Sequence, residues 1–284
     1  YVPQGRQIFP LLTVEENLTV RALVHNTLQT VRKAALPLVQ IIGGGQALIL
    51  LLSVVCLGAT PFGQNMQEHP IGYTIWSLCS AFIGIIIMTG SLITMETARE
   101  GNLLTWKEAL KAAWHKVWAV LGATIYVTLL VWAAAVLLAI VLTLIGVGIY
   151  FISPSASIVF AILAGLIMLV LVVVLAVYVA FSLYAVALSH TTVWNAPVYV
   201  YRLLKGRTCH TLLLCIVSGI AIMLLGLATG IIQVLLTPLY LISLWLGMIV
   251  MWLFSLPIAI LNGMIGLGSA SEIYHALTET TQNR

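Results

Sequence analysis

Charged residues are scarce in this sequence. Only 7% of its 284 residues are charged and 62% are hydrophobic, whereas a soluble domain carries about 25% charged residues. No charge occurs in residues 34–67, 69–95, 117–201 or 208–271. A membrane-spanning helix needs about 20 apolar residues, so each of the last two stretches is long enough for two spans. The composition therefore excludes a soluble globular domain and predicts an all-α, polytopic membrane protein.

Groups that carry out chemistry are also scarce. The sequence contains no aspartate, and its four cysteines form no C-x-x-C pair. The six histidines show no metal-ligand spacing, and no G-x-S-x-G string marks a nucleophile. The histidines are predicted to lie mostly at the membrane interface, and the cysteines to be reduced and packed. We expect no enzyme activity, no cofactor and no metal.

Six spans are predicted from the apolar runs, with prolines and glycines between them. They cover residues 36–57, 71–95, 117–145, 157–188, 212–236 and 240–261. Pro257 lies inside the sixth span, where neighbouring helices can accommodate a kink. No charge falls inside a predicted span, and Glu96 is expected to pair with Arg99 at the end of the second. Because intramembrane charge usually accompanies ion-coupled transport, the sequence disfavours that activity.

The basic residues predict the orientation of the spans. All 12 lysines and arginines fall on one side of a six-span arrangement, and the other side holds Glu68 alone. Because lysine and arginine concentrate in cytoplasmic loops, both termini are predicted to be cytoplasmic. The predicted location is the plasma (inner) membrane.

Three amphipathic segments lie on the predicted cytoplasmic side, at residues 19–32, 105–116 and 194–204. In the second, Trp106, Ala109 and Ala113 recur at helical spacing, while Lys107 and Lys111 occupy the other face. Each segment precedes two spans, and the threonines that open the three stretches, Thr19, Thr105 and Thr192, lie about 86 residues apart. The pattern predicts interfacial helices before spans 1, 3 and 5, and is consistent with a threefold internal repeat.

Two sets of residues are candidates for contacts with other molecules. The basic set contacts anionic lipid or a cytoplasmic protein partner, or only determines topology. It comprises Lys107, Lys111, Lys116, Arg202, Lys205 and Arg207. The intramembrane polar set hydrogen-bonds between helices, or contacts a substrate. It comprises Gln46, Gln233 and Asn262. Gly226 and Gly230 form a G-x-x-x-G pattern, which permits close helix packing.

The segment YVPQGRQIFPLLTVEENL, residues 1–18, resembles the Q-loop region of ABC transporter ATPases, especially those of branched-chain amino acid and urea importers. Gln4 matches the glutamine that links nucleotide site and permease in that family, and Glu15, Glu16 and Asn17 match its V-x-E-N-L stretch. The chain lacks the GK[ST] loop and the magnesium-binding aspartate that nucleotide hydrolysis requires. The predicted organisation is therefore a non-functional ATPase-like fragment, 1–18, and a six-span membrane domain, 19–284.

Residues 19–284 resemble broad families of uncharacterised bacterial six-span proteins, in which an amphipathic helix ends in an L-x-K-G turn like that at Leu203–Arg207. This resemblance implies a fold more than a function. The predicted function is a non-enzymatic protein that organises the membrane or assists transport. The alternative is a permease for an uncharged or amphipathic solute, associated with an ABC ATPase. The sequence predicts neither a nucleic-acid partner nor an oligomeric state.

Overall fold

The computed structural model describes residues 20–57, 70–236, 238 and 243–282. These residues form eight helices and no strand. The helices are α1 (Val20–Lys33), α2 (Ala35–Leu57), α3 (Pro70–Arg99), α4 (Trp106–Ile152), α5 (Pro154–Ala187), α6 (Ala196–Leu204), α7 (Thr208–Leu236) and α8 (Leu244–Gln282). The ATPase-like segment, residues 1–18, lies outside the described residues.

In the part of the chain that the structure describes, six helices are long and apolar enough to cross a membrane, namely α2, α3, α4, α5, α7 and α8. This confirms the predicted all-α, six-span architecture. The first five match the predicted spans in position, although α3 continues to Arg99 and α4, Trp106–Ile152, extends beyond both ends of the predicted third span.

The sixth predicted span needs a correction. Residues 240–261 were expected to form it; residues 240–242 lie outside the described residues, and α8 runs from Leu244 to Gln282 with its candidate span at Leu253–Thr278. Pro257 lies inside this helix. Hydropathy falls after residue 261, yet no proline follows Pro257 to end the helix. As a result Glu272 lies inside the helix of the sixth candidate span, as Glu96 and Arg99 lie at the end of the second.

The amphipathic segments form helices in two different ways. The first and third are separate helices, α1 and α6, as predicted. The second was predicted as a separate interfacial helix, but it is the first part of α4, a single helix of 47 residues. The threefold pattern of interfacial helix, span and span therefore does not hold for the middle segment.

The described chain divides into two compact units. Unit 1 comprises the residues up to Trp118 and those from Leu213 onward, and unit 2 is Ala119–Leu212. In unit 1 the C-terminal half of α3 is central, because its buried residues point in nearly every direction. They are Ile87, Thr89, Gly90, Ser91, Leu92, Thr94, Met95 and Ala98. Side chains from α2, α4 and α8 complete this core.

Unit 2 has a smaller core. Val120, Ala123 and Val127 of α4 are buried, as is the end of α5 and one face of α6. The Tyr126 and Trp194 rings meet at 5.0 Å between centroids. Residues 128–176 include no buried residue. Most of this long apolar hairpin therefore offers its surface to lipid.

Glycines end two of the helices. Gly101 follows α3 with φ +89°, and the amide of Asn102 donates to the Thr97 carbonyl at 2.8 Å. This is the Schellman arrangement, whose left-handed residue is usually glycine. Gly206, with φ +80°, follows α6 within the predicted L-x-K-G turn. Each helix thus ends next to basic residues of its own unit, Arg99 before Gly101 and Lys205 before Gly206.

Candidate functional site: a basic surface and a polar network

The N-terminus of α4 is capped by its own first residues. The Glu108 carboxylate accepts hydrogen bonds from the Thr105 amide at 2.9 Å and the Thr105 hydroxyl at 2.8 Å. The Glu108 amide donates back to the Thr105 hydroxyl at 3.4 Å. This reciprocal T-x-x-E capping box satisfies amides that the first turn leaves unpaired. It fixes where the basic segment begins.

One face of this segment packs against α3 within unit 1. Ala109, Ala113 and Val117 are fully buried, at the i, i+4 and i+8 spacing of a single helix face. They approach α3 at Gly90, where an added Cβ would lie 3.7 Å from the Ala113 Cβ. Lys116, which shares this side of the helix, is half-buried. The small alanines therefore bring the helix close to α3 and determine which face points outward.

The adjoining face of the helix carries cations and indoles. Lys107 and Lys111 are exposed, and Trp114 and Trp118 follow them at helical spacing. Both indoles meet the Phe82 ring of α3, at centroid distances of 6.1 and 6.0 Å. We call these four residues the basic–aromatic stripe. Tryptophan and lysine in this combination are typical of the headgroup region of a membrane.

Unit 2 holds the other predicted cations. Arg202 and Lys205 are exposed around the end of α6, and Arg207 is half-buried in the next turn. The buried face of α6 consists of Ala196, Val200, Leu203 and Leu204. Trp194 and Tyr201 are exposed beside the cations. The predicted basic residues are therefore mostly exposed in both units, next to exposed aromatic rings.

A second polar site lies in unit 1, where α1, α3 and α8 meet. Arg99 Nη1 donates to Glu96 Oε2 at 3.2 Å, and Arg99 Nη2 lies 2.5 Å from Glu272 Oε1. The Thr30 hydroxyl donates to the same Glu272 oxygen at 2.8 Å. His275 Nδ1 lies 3.6 Å from Glu96 Oε1, an ion-pair distance when the imidazole is protonated. We call these five residues the Arg99 network.

The network is largely removed from water. The Glu272 side chain is only 10% exposed, so the Arg99 guanidinium and the Thr30 hydroxyl take the place of water around its carboxylate. Because Arg99 contacts carboxylates from two helices, it joins the end of α3 to α8. The end of α1, which precedes the first span, and the C-terminal parts of α3 and α8 therefore meet at one end of unit 1.

Of this network, only the pair of Glu96 and Arg99 was predicted from the sequence. The Glu96–Arg99 pair was predicted because the two residues are one helical turn apart. The other three members were not predicted. The last span was predicted to end at residue 261, so Glu272 and His275 fell in a tail, and Thr30 joins the network only through Glu272. The signal available was that Glu272 and His275 also lie one turn apart, directly after an apolar run without a helix breaker.

The intramembrane polar candidates are placed on contacting helices. Gln46 is half-buried on α2, and Asn262 lies on α8. The helices approach where an added Cβ at Gly43 would lie 3.1 Å from Ile260 Cδ1. Asn262 Oδ1 is buried and accepts no hydrogen bond among the described residues. The side chain of Gln233 lies outside the described residues.

The remaining reactive side chains are dispersed. His25, His115 and His190 are exposed, and His25 bonds to Gln29 within α1 at 2.9 Å. The thiols of Cys56, Cys79 and Cys215 are unpaired and half-buried. His69 and the side chains of Cys209 and His210 lie outside the described residues. Within the described part of the chain, no three histidine, cysteine or acidic side chains are grouped to hold a metal ion.

Comparison of the chain with models of known protein families, with curated proteins and with solved structures finds no match. The class of protein, a helical multi-pass membrane protein, therefore follows from its own helices.

Proposed function

We propose that this chain is a non-enzymatic, multi-pass protein of the plasma membrane that organises anionic lipid at its cytoplasmic surface, with both termini in the cytoplasm. The observation that carries the proposal is the basic–aromatic stripe. Its two lysines are exposed beside two exposed indoles, on the face of α4 that adjoins the packed alanines. A phospholipid headgroup offers phosphate to the lysines and an interfacial layer to the indoles.

The energetics support a lipid partner. Each lysine or arginine near an anionic leaflet contributes about 1 kcal/mol to binding. Lys107 and Lys111 lie one turn apart on the same face, so one lipid cluster can be reached by both. Arg202 and Lys205 add a second exposed pair in unit 2. A cytoplasmic protein with an acidic surface is the competing partner, and lipid binding in the purified protein distinguishes the two.

The test uses the full chain in nanodiscs that contain equal amounts of phosphatidylglycerol and phosphatidylcholine. The lipids retained after extraction are counted by mass spectrometry. We expect the chain to retain phosphatidylglycerol preferentially, and Lys107→Gln/Lys111→Gln to lower that preference by up to about 25-fold, because two charges are lost. Lys107→Arg/Lys111→Arg keeps both charges and is the matched control. Equal retention of the two lipids by the unmodified chain would contradict the proposal.

A permease for an uncharged solute is the second candidate, and the Asn262 acceptor favours it. A buried acceptor without a partner is costly unless something else donates to it. The test is the rate at which urea and glycerol enter proteoliposomes, followed by light scattering. A permease would speed entry over empty vesicles, and Asn262→Leu would abolish the increase. Entry at the rate of empty vesicles would rule out both solutes.

A further inference from the structure

The inner face of α1 is seated closely on α8. Leu23, Thr27 and Thr30 are buried on one side of α1. A Cβ added at Gly268 of α8 would lie 2.9 Å from Val31 Cγ2 and 3.0 Å from Thr27 Cγ2. Such separations are shorter than van der Waals contact, so a glycine at this position lets the two helices approach. The amphipathic helix α1 is therefore docked on the protein and does not merely lie beside it.

The docking contact of α1 also includes a polar interaction. Thr30 donates to Glu272, and Glu272 is held in turn by Arg99. The other charged groups at this contact are Glu96 and His275, which belong to the same network. Arg32 and Lys33 of α1, and Glu100 after α3, are exposed. Arg99 therefore acts on α1 through Glu272, and is a positioning residue for the docked helix.

The outer face of α1 combines exposed apolar and basic residues. Val24 is 51% exposed and Leu28 is 57% exposed, one helical turn apart. Arg32 and Lys33 are exposed at the end of the helix. The 14 residues of α1 include no acidic residue. Only Ala34 separates α1 from the first span, which fixes the helix at the boundary of the membrane.

We propose that the outer face of α1 binds the anionic phospholipid surface, and that the Arg99 network couples this binding to the docking of α1 on α8. The inference rests on the proposed function, since it assigns a further lipid-binding surface to the same protein. Charge complementarity selects anionic lipid, because α1 offers cations without an acidic residue beside two exposed aliphatic side chains. The two faces belong to one short helix, so lipid that binds docked α1 more tightly also stabilises its docking.

The test is amide hydrogen exchange in α1, measured on the full chain in phosphatidylglycerol and in phosphatidylcholine nanodiscs. We expect α1 amides to exchange several-fold more slowly in phosphatidylglycerol. Arg32→Gln/Lys33→Gln removes that difference, whereas Arg32→Lys with Lys33→Arg preserves it. Thr30→Val speeds exchange in both lipids by about tenfold, because a hydrogen bond to a charged group is lost. Thr74→Val is the control, since Thr74 is exposed and bonds only within its own helix.

Gly268→Ala tests the docking of α1 independently, because the added methyl group displaces α1 without altering any charge. We expect α1 amides to exchange faster in both lipids. Equal α1 exchange in the two lipids would overturn the lipid surface, and unchanged exchange in both Thr30→Val and Gly268→Ala would overturn the coupling. Preferential lipid retention that depends on Lys107 and Lys111, together with lipid-independent α1 exchange, would refute this inference while leaving the proposed function intact. Equal retention of the two lipids by the unmodified chain, together with lipid-dependent α1 exchange, would refute the proposed function and leave this inference intact.

Discussion

Glycine determines how closely the helices of unit 1 approach at several points. A Cβ added at Gly45 of α2 would overlap the Ile87 side chain of α3. A Cβ at Gly263 of α8 would lie 3.4 Å from Ile42 Cγ2. The sequence predicted helix packing at the G-x-x-x-G pattern of Gly226 and Gly230 instead. Neither of these has a described neighbour within 4 Å of an added Cβ. The spacing of two glycines alone does not reveal which face of a helix meets another helix.

Adjacent glycines in α2 provide a matched comparison. Gly45→Ala should lower the free energy of unfolding by about 1–3 kcal/mol, because the added methyl group displaces Ile87. Gly44→Ala should leave stability unchanged or raise it by up to about 1 kcal/mol, since nothing lies within 4 Å and alanine favours the helix. Thermal unfolding of both variants in one detergent, followed by circular dichroism, measures the difference. Equal stabilities would show that α2 and α3 do not pack through Gly45.

Helix boundaries follow from breakers and caps more than from hydropathy. The sequence split α4 where its periodicity changes, near Lys116. No proline occurs between Thr105 and Ile152, however, and the helix runs about 70 Å without a break. It ends at Ser153, whose hydroxyl accepts from the Ala156 amide while Pro154 begins α5. Apolar runs therefore predicted which helices exist, while the continuous backbone determined their length.

The capping box predicts a local effect at the start of α4. Thr105→Ala removes the hydroxyl that bonds to Glu108, and should cost about 1 kcal/mol of helix stability. Amide exchange should quicken about fivefold in the first turn of α4 and stay unchanged in its apolar part. Thr143→Ala is the control, because the Thr143 hydroxyl bonds only to the Ala139 carbonyl of the preceding turn. Identical exchange in the two variants would mean that the cap does not hold this end of the helix.

At the scale of the whole molecule, scarcity of charge predicted the architecture but not the site where charges meet. Counting apolar runs was sufficient for six spans, and the structure confirms them. The Arg99 network depends on Thr30, Arg99 and Glu272, which are distant in sequence and belong to three different helices. Residue spacing carries no information about such a contact, since only the packing of α1, α3 and α8 brings these side chains together.

The proposed lipid contact requires the basic residues to face the cytoplasm, and site-specific labelling tests this requirement directly. Asn102→Cys lies between α3 and α4, and Ser153→Cys lies between α4 and α5. Six alternating spans with cytoplasmic termini place these positions on opposite sides. A membrane-impermeant maleimide should label Ser153→Cys in intact cells and Asn102→Cys only after permeabilisation, with the unmodified chain giving the background. Labelling of Asn102→Cys in intact cells, or of Ser153→Cys only after permeabilisation, would contradict the account.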